Sequence, residues 1–187
     1  MSSDFERTLR RLKPDKQRQQ LKPRKESELA FLGVSAGQPR SLLYDTTVYV
    51  DTLQGRFPRP QHAMLRAVDA WHSTVAESEL ASICALLDPA HAGTRGVINE
   101  IKEVIDRMPS HRTIAPDRET WRDAGILTGT IARLQGVAKA DRRRILNDAL
   151  IFATARKHGH AVLTRNIVDF DWLQQLDPSG RVLFYRV

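Results

Sequence analysis

The chain has 187 residues, a length suited to one domain plus an extension, with 41% hydrophobic and 27% charged residues, the balance of a soluble globular protein. No apolar run reaches the roughly 18 residues of a membrane span. The opening MSSDFERTLRRLKPDKQRQQ carries charge where a secretory signal has its apolar stretch, so the expected location is the cytoplasm. A single cysteine, Cys84, excludes an internal disulfide and a zinc or iron–sulfur site built on cysteines; within ELASICALL it reads as a small core residue.

The net charge of +7 is unevenly spread, since residues 1–40 hold ten basic and five acidic side chains and so carry +5 of it. Such a segment attracts polyanions by counterion release; equally, it reads as a solvated, partly disordered tail. Gly, Ser and Pro in GVSAGQPR, residues 33–40, predict a linker, which divides the chain into a basic extension, 1–40, and a folded domain, 41–187.

In chain order, SLLYD (41–45) predicts a buried strand closed by an acid, and TVYVDTLQG a helix ending at Gly55. Pro58 and Pro60 predict a turn, residues 61–70 a short helix, WHSTV (71–75) a second strand, and ESELASICALL a helix stopping at the Asp88-Pro89 turn. Apolar residues at Val97, Ile98, Ile101, Val104, Ile105 and Met108 keep helical spacing up to Pro109. HRTIAP supplies a short connecting strand, DRETWRDAGILTGTIARLQG a helix closed by Gly136, and NDALIFATARKHG a helix capped by Gly159, which Asp148 opens. HAVLT is then a strand, VDFDWLQQL a short helix and RVLFYRV a final strand. Strands alternating with helices imply a parallel sheet covered on both faces, a three-layer α/β/α unit.

In such sheets ligands bind at the carboxyl ends of the strands. Asp45 follows LLY, Glu79 follows HSTV by about a turn, Asp148 lies on the helix feeding HAVLT, and Asp169 follows HAVLT by a short loop. Singly, each acid has a structural role open to it: Asp45 as a helix N-cap, Asp148 as a first-turn acid, Asp169 as a loop residue. Four converging carboxylates would repel one another, which calls for hard cations; oxygen-only ligation suits Mg²⁺ or Mn²⁺, and such a site acts on phosphates. Glu77 rivals Glu79, because Thr74-Val-Ala-Glu77 matches a capping box. Arg142, Arg143 and Arg144 read as either RNA contacts or a solvated run. His158 and His160, flanking Gly159, read as surface residues, and the three tryptophans as packing at element ends.

These residues carry a resemblance. LLYDTTVYVD is similar to the opening of the PIN-domain family, specifically the VapC-type ribonuclease toxins, with Asp45-Thr46-Thr47 in place of Asp-Thr-Asn/Ser. HSTVAESEL matches its Ser…Glu-Leu pattern, NDALIFATARKHG its Asp-Ala-Leu…Ala-Thr-Ala pattern, and Thr164-Arg-Asn166-Ile-Val-Asp169-Phe its closing Thr-x-Asn-x-x-Asp-Phe. The four matches fall in order across 41–187, and Leu80 and Ser73 take the family's places if Glu79 is the glutamate. The resemblance implies a PIN-like fold and metal-dependent hydrolysis of RNA by water. It makes Asp45, Glu79 and Asp148 the metal ligands, with Asp169 a fourth and Thr46, Thr164 and Asn166 supporting polar groups. It also implies an antitoxin of the VapB kind as partner, and a homodimer. Departures are Thr47, Ala76 where a helix-starting Thr or Ser is usual, and the long basic extension. Two other readings are a nucleic-acid-binding module on a degenerate PIN-like scaffold, with the extension as its working part, and a PIN-type DNA nuclease.

Overall fold

The computed structural model describes residues 4–34 and 39–187, so part of the expected linker lies outside the described residues. Five short strands form one all-parallel sheet: β1 (Ser41–Tyr44), β2 (Asp69–Ser73), β3 (Thr113–Ile114), β4 (Ala161–Thr164) and β5 (Arg181–Phe184), in the order β3-β2-β1-β4-β5. The chain steps outward from β1 to β3, then crosses back to lay β4 on the other side of β1. The switch point between β1 and β4, where the loops diverge, is where such sheets open a crevice.

Residue alternation on the strands builds the two faces. Leu42, Ala161, Leu163 and Leu183 bury against α2 (Thr46–Leu53) and α3 (Arg59–Leu65) through Val48 and Met64. Leu43, Val162, Val182 and Phe184 bury in the larger core, beside α4 (Thr74–Leu86), α6 (Arg118–Gln135), α7 (Arg142–His158) and α8 (Ile167–Leu176). α5 (Thr94–Asp106) joins that side through Ile101. The three-layer α/β/α fold is the one the strand–helix alternation implies.

Local differences from the sequence reading have simple causes. α3 starts at Arg59, so Pro60 lies in its first turn, where a missing N–H costs nothing. β2 begins at Asp69 and ends at Ser73, because the Ser73 hydroxyl accepts from the Val75 amide (3.2 Å) and turns Thr74 and Val75 into helix. Ser73, not Thr74, is therefore the cap of α4. α7 starts at Arg142, so Asp148 sits one turn and a half inside the helix and does not open it. His160 is buried rather than on the surface: its ring stacks on Trp71 (centroids 4.6 Å apart) and its Nδ1 meets the Ser41 hydroxyl at 2.6 Å.

Over its described part the extension packs on the domain. α1 (Asp4–Leu12) lies on α6, with Leu12 buried and the Thr8 hydroxyl donating to buried Asp123 (2.9 Å). Arg11 reaches both Asp123 and Asp177, which Arg156 also pairs, at 2.7 and 3.4 Å. Farther on, Arg24 pairs with buried Asp171, Leu29 and Leu32 are buried, and Phe31 bridges Phe184 in parallel. The Leu32 and Phe184 amides donate to the Phe184 and Ala30 carbonyls, both at 2.8 Å, covering the β5 edge that would otherwise offer an unpaired ladder. Two of the extension's cations, Arg11 and Arg24, are thus spent on internal carboxylates.

Candidate active site

Asp45 leaves β1 at the switch point and caps α2, accepting from the Thr47 amide at 3.4 Å. The cap is one of its duties only. The same carboxylate accepts from the Thr47 hydroxyl (2.7 Å) and from the Thr164 hydroxyl at the end of β4 (2.8 Å), while its amide donates to the Leu163 carbonyl. Two adjacent strands therefore converge on one side chain.

α4 delivers Glu79, which accepts from the Thr46 hydroxyl and from Asn147 on α7 (2.8 Å). Glu77 makes neither contact. Two residues apart on a helix means about 200° of rotation, so the pair cannot share a face. Asp148 points inward from α7, and Asn166, the N-cap of α8, bridges Asp148 (3.2 Å) and Asp169 (2.8 Å) with its amide. All four sequence-selected acids come together, as do Thr46, Thr164 and Asn166.

The electrostatics follow from burial. Removal from water pushes the Asp45 carboxyl up, opposed by its hydroxyl donors and reinforced by Glu79. Asp148 stands well above the usual carboxylate range, first through burial and then through the charges of Asp45, Asp169 and Glu79. The cation that meets this charge is Arg144, one turn before Asp148, which pairs with Asp169 and lies 3.7 Å from Asp148. Among the described residues, no three Asp, Glu, His or Cys side chains are arranged to hold one metal ion. Arg144 closes the acidic group instead.

Sequence reasoning missed Asn147, and it read Arg144 as an RNA contact or part of a solvated run rather than as the partner of Asp169. Arg144 sits four residues before Asp148, an i,i+4 spacing that does signal a pair; Asn147 has no local signal, because its partner lies 68 positions away. A second buried acid, Asp51, faces the neighbouring loop: Arg165 (2.7 Å), Arg56 and the Tyr185 hydroxyl (both 2.8 Å) surround it. It supports the Thr164–Asn166 turn from behind, since the Arg165 amide also donates to Thr47.

An all-parallel α/β/α sheet with acids gathered at its switch point is the arrangement that the sequence resemblance implied. Solved structures agree. One chain of VapBC2 from Rickettsia felis, bound to a DNA fragment from its promoter, matches with a TM-score of 0.55 at 16% identity, covering 79% of this chain and 99% of that one. FitAcB from Neisseria gonorrhoeae matches with a TM-score of 0.55 at 22% identity, covering 76% and 96%. VapBC-5 from Mycobacterium tuberculosis, a member of the VapBC family of toxin–antitoxin systems, matches with a TM-score of 0.52 at 20% identity, covering 80% and 100%. At these identities the likeness establishes the fold, that of VapC-type PIN domains. No protein-family model and no curated protein matches the sequence. No helix among the described residues is long and apolar enough to cross a membrane.

Proposed function

We propose that the chain is a divalent-metal-dependent endoribonuclease, acting in the cytoplasm as the toxin half of a toxin–antitoxin pair. The observation that carries this reading is the convergence of Asp45, Glu79, Asp148 and Asp169 at the switch point, with Asp45 raised by burial and by Glu79, and Asp148 by burial and then by Asp45, Asp169 and Glu79. Such a concentration of buried carboxylates is unstable without cations, and perturbed acids in a cleft mark functional sites. The likeness to VapBC structures supports the toxin assignment and an antitoxin partner; the homodimer rests on the sequence resemblance alone.

The donor set, oxygen alone, fits Mg²⁺ or Mn²⁺. Asp45, Glu79 and Asp148 would have to draw together to hold the ion, since no three such side chains among the described residues are set to ligate one as they stand, with Asp169 a fourth donor once Arg144 releases it. A bound divalent ion lowers the pKa of water and offsets charge on a phosphate. The chain's own residues do the positioning. Thr47 and Thr164 fix the rotamer of Asp45 and favour its charged form against burial; Thr46 and Asn147 fix the rotamer of Glu79; Asn166 ties Asp148 to Asp169. Arg144, half exposed, is placed to exchange its carboxylate for a substrate phosphate.

The test is to incubate the purified chain with single-stranded RNA and with DNA of the same sequence, with Mg²⁺ or Mn²⁺ and with chelator. Cleavage of RNA that chelator abolishes is the expected result. Cleavage of DNA alone makes it the DNA nuclease, and cleavage of neither strand under any condition returns it to a binding module.

A further inference from the structure

Beside the carboxylates a cleft of about 830 Å³ runs between α4 and the facing parts of α6 and α7. Glu79, Asn147 and Arg144 line the end shared with the candidate site, and Trp121 lines the cleft from the first turn of α6. Trp121 is 51% exposed, so about half of its indole is open to solvent. Arg143 also lines the cleft, is exposed, and forms no ion pair among the described residues, unlike its neighbour Arg144.

We infer that this cleft is a subsite for single-stranded RNA flanking the scissile bond, in which Trp121 stacks a base and Arg143 contacts a phosphate. The inference rests on the ribonuclease reading. It adds to that reading two binding residues, Trp121 and Arg143, outside the carboxylate group. A splayed strand needs an aromatic face and a cation beside it, spaced along a groove, and binds without reading sequence. A duplex hides its base faces and gains nothing from the indole. The charges agree: the cleft presents Arg143 and Arg144, and its acid, Glu79, stands at the end where the phosphodiester would be cut.

The experiment is fluorescence anisotropy of an end-labelled single-stranded RNA hexamer with the full chain in chelator, where no cleavage occurs, alongside a duplex of the same sequence. Trp121→Ala weakens strand binding about 5- to 100-fold, the effect of losing one stacked base, and Trp121→Phe recovers most of it. Arg143→Ala lowers the slope of log affinity against log salt by about 0.7, and Arg143→Lys keeps the slope. Wild-type affinity and salt dependence in both alanine variants overturn the inference. So does an equal effect of Trp121→Ala on the duplex, or no binding of the strand by the wild type, which reserves the cleft for a protein segment. The two readings fail separately. A chain that binds the strand through Trp121 but leaves it intact with Mg²⁺ refutes the ribonuclease and keeps the subsite; cleavage with an unchanged KM in Trp121→Ala refutes the subsite alone.

Discussion

Arg144 and Asp169 form an ion pair inside the carboxylate group, with Asp148 only 3.7 Å from the same guanidinium nitrogen. An internal cation thus stands where the proposed function requires a divalent one. The two compete for the same oxygens. Arg144→Ala should therefore lower the melting temperature of the metal-free protein, by about 2–4 °C for each kcal/mol lost, and enlarge the rise in melting temperature that Mn²⁺ produces. Thermal unfolding with and without Mn²⁺ checks both. An unchanged metal response would mean that Arg144 does not occupy the cation's place.

A second prediction follows from the Asp148 carboxyl, which burial and then the neighbouring acids hold well above its ordinary range. A carboxyl raised in the fold binds its proton more tightly there than in the unfolded chain. Its stabilising contribution is complete below the unfolded value and is lost as pH rises through the raised one. Without metal, Asp148→Asn should then melt higher than wild type at neutral pH, by at least about 2 °C, with the difference shrinking as pH falls toward the carboxylate range. Melting curves across that window decide it. A gap that grows with acidity would contradict the assigned direction.

The extension supplies a third. Arg11 joins Asp123 and Asp177, both nearly fully buried, and shares them with Arg156. Removing one cation leaves two buried carboxylates on a single guanidinium, so Arg11→Ala should cost about 2 kcal/mol, discounted from the figure for a fully buried pair because Arg11 is part-exposed. Urea unfolding measures the loss, and limited proteolysis should show α1 released first.

Gly180 carries the fourth. A Cβ there would lie 2.2 Å from Cζ of Phe152, whose side chain is fully buried in the larger core. Gly180→Ala should destabilise by about 1–3 kcal/mol through overpacking, with a lower denaturation midpoint and an unchanged slope.

Much of this was legible in the sequence, and what was not follows a pattern. Period and punctuation located the strands and helices of the domain, since Gly136 and Gly159 adopt the left-handed caps their positions imply. Motif order selected all four acids, because each lies beside a strand end or on a helix leading to one. Register and sharing were not visible. Nothing local tells that Asn147 serves Glu79, or that Thr8, Arg11 and Arg156 meet on Asp123, since these contacts span 33 to 115 positions. The extension shows the same limit: Arg11 and Arg24 meet Asp123, Asp177 and Asp171 only when segments 112 to 166 positions apart are brought together. His160 looked exposed next to a helix-ending glycine, yet it packs on a tryptophan from β2.

The most direct measurement is the rate of Mg²⁺-dependent RNA cleavage by wild type and by Asp45→Asn, purified identically. Asn caps a helix as well as Asp, so the variant should keep α2 and the fold, as circular dichroism would show. It loses the charge that the site is built around. The account predicts a fall well beyond the about 10- to 100-fold caused by losing an outer partner of a metal ligand. Wild-type cleavage by a folded Asp45→Asn would contradict it.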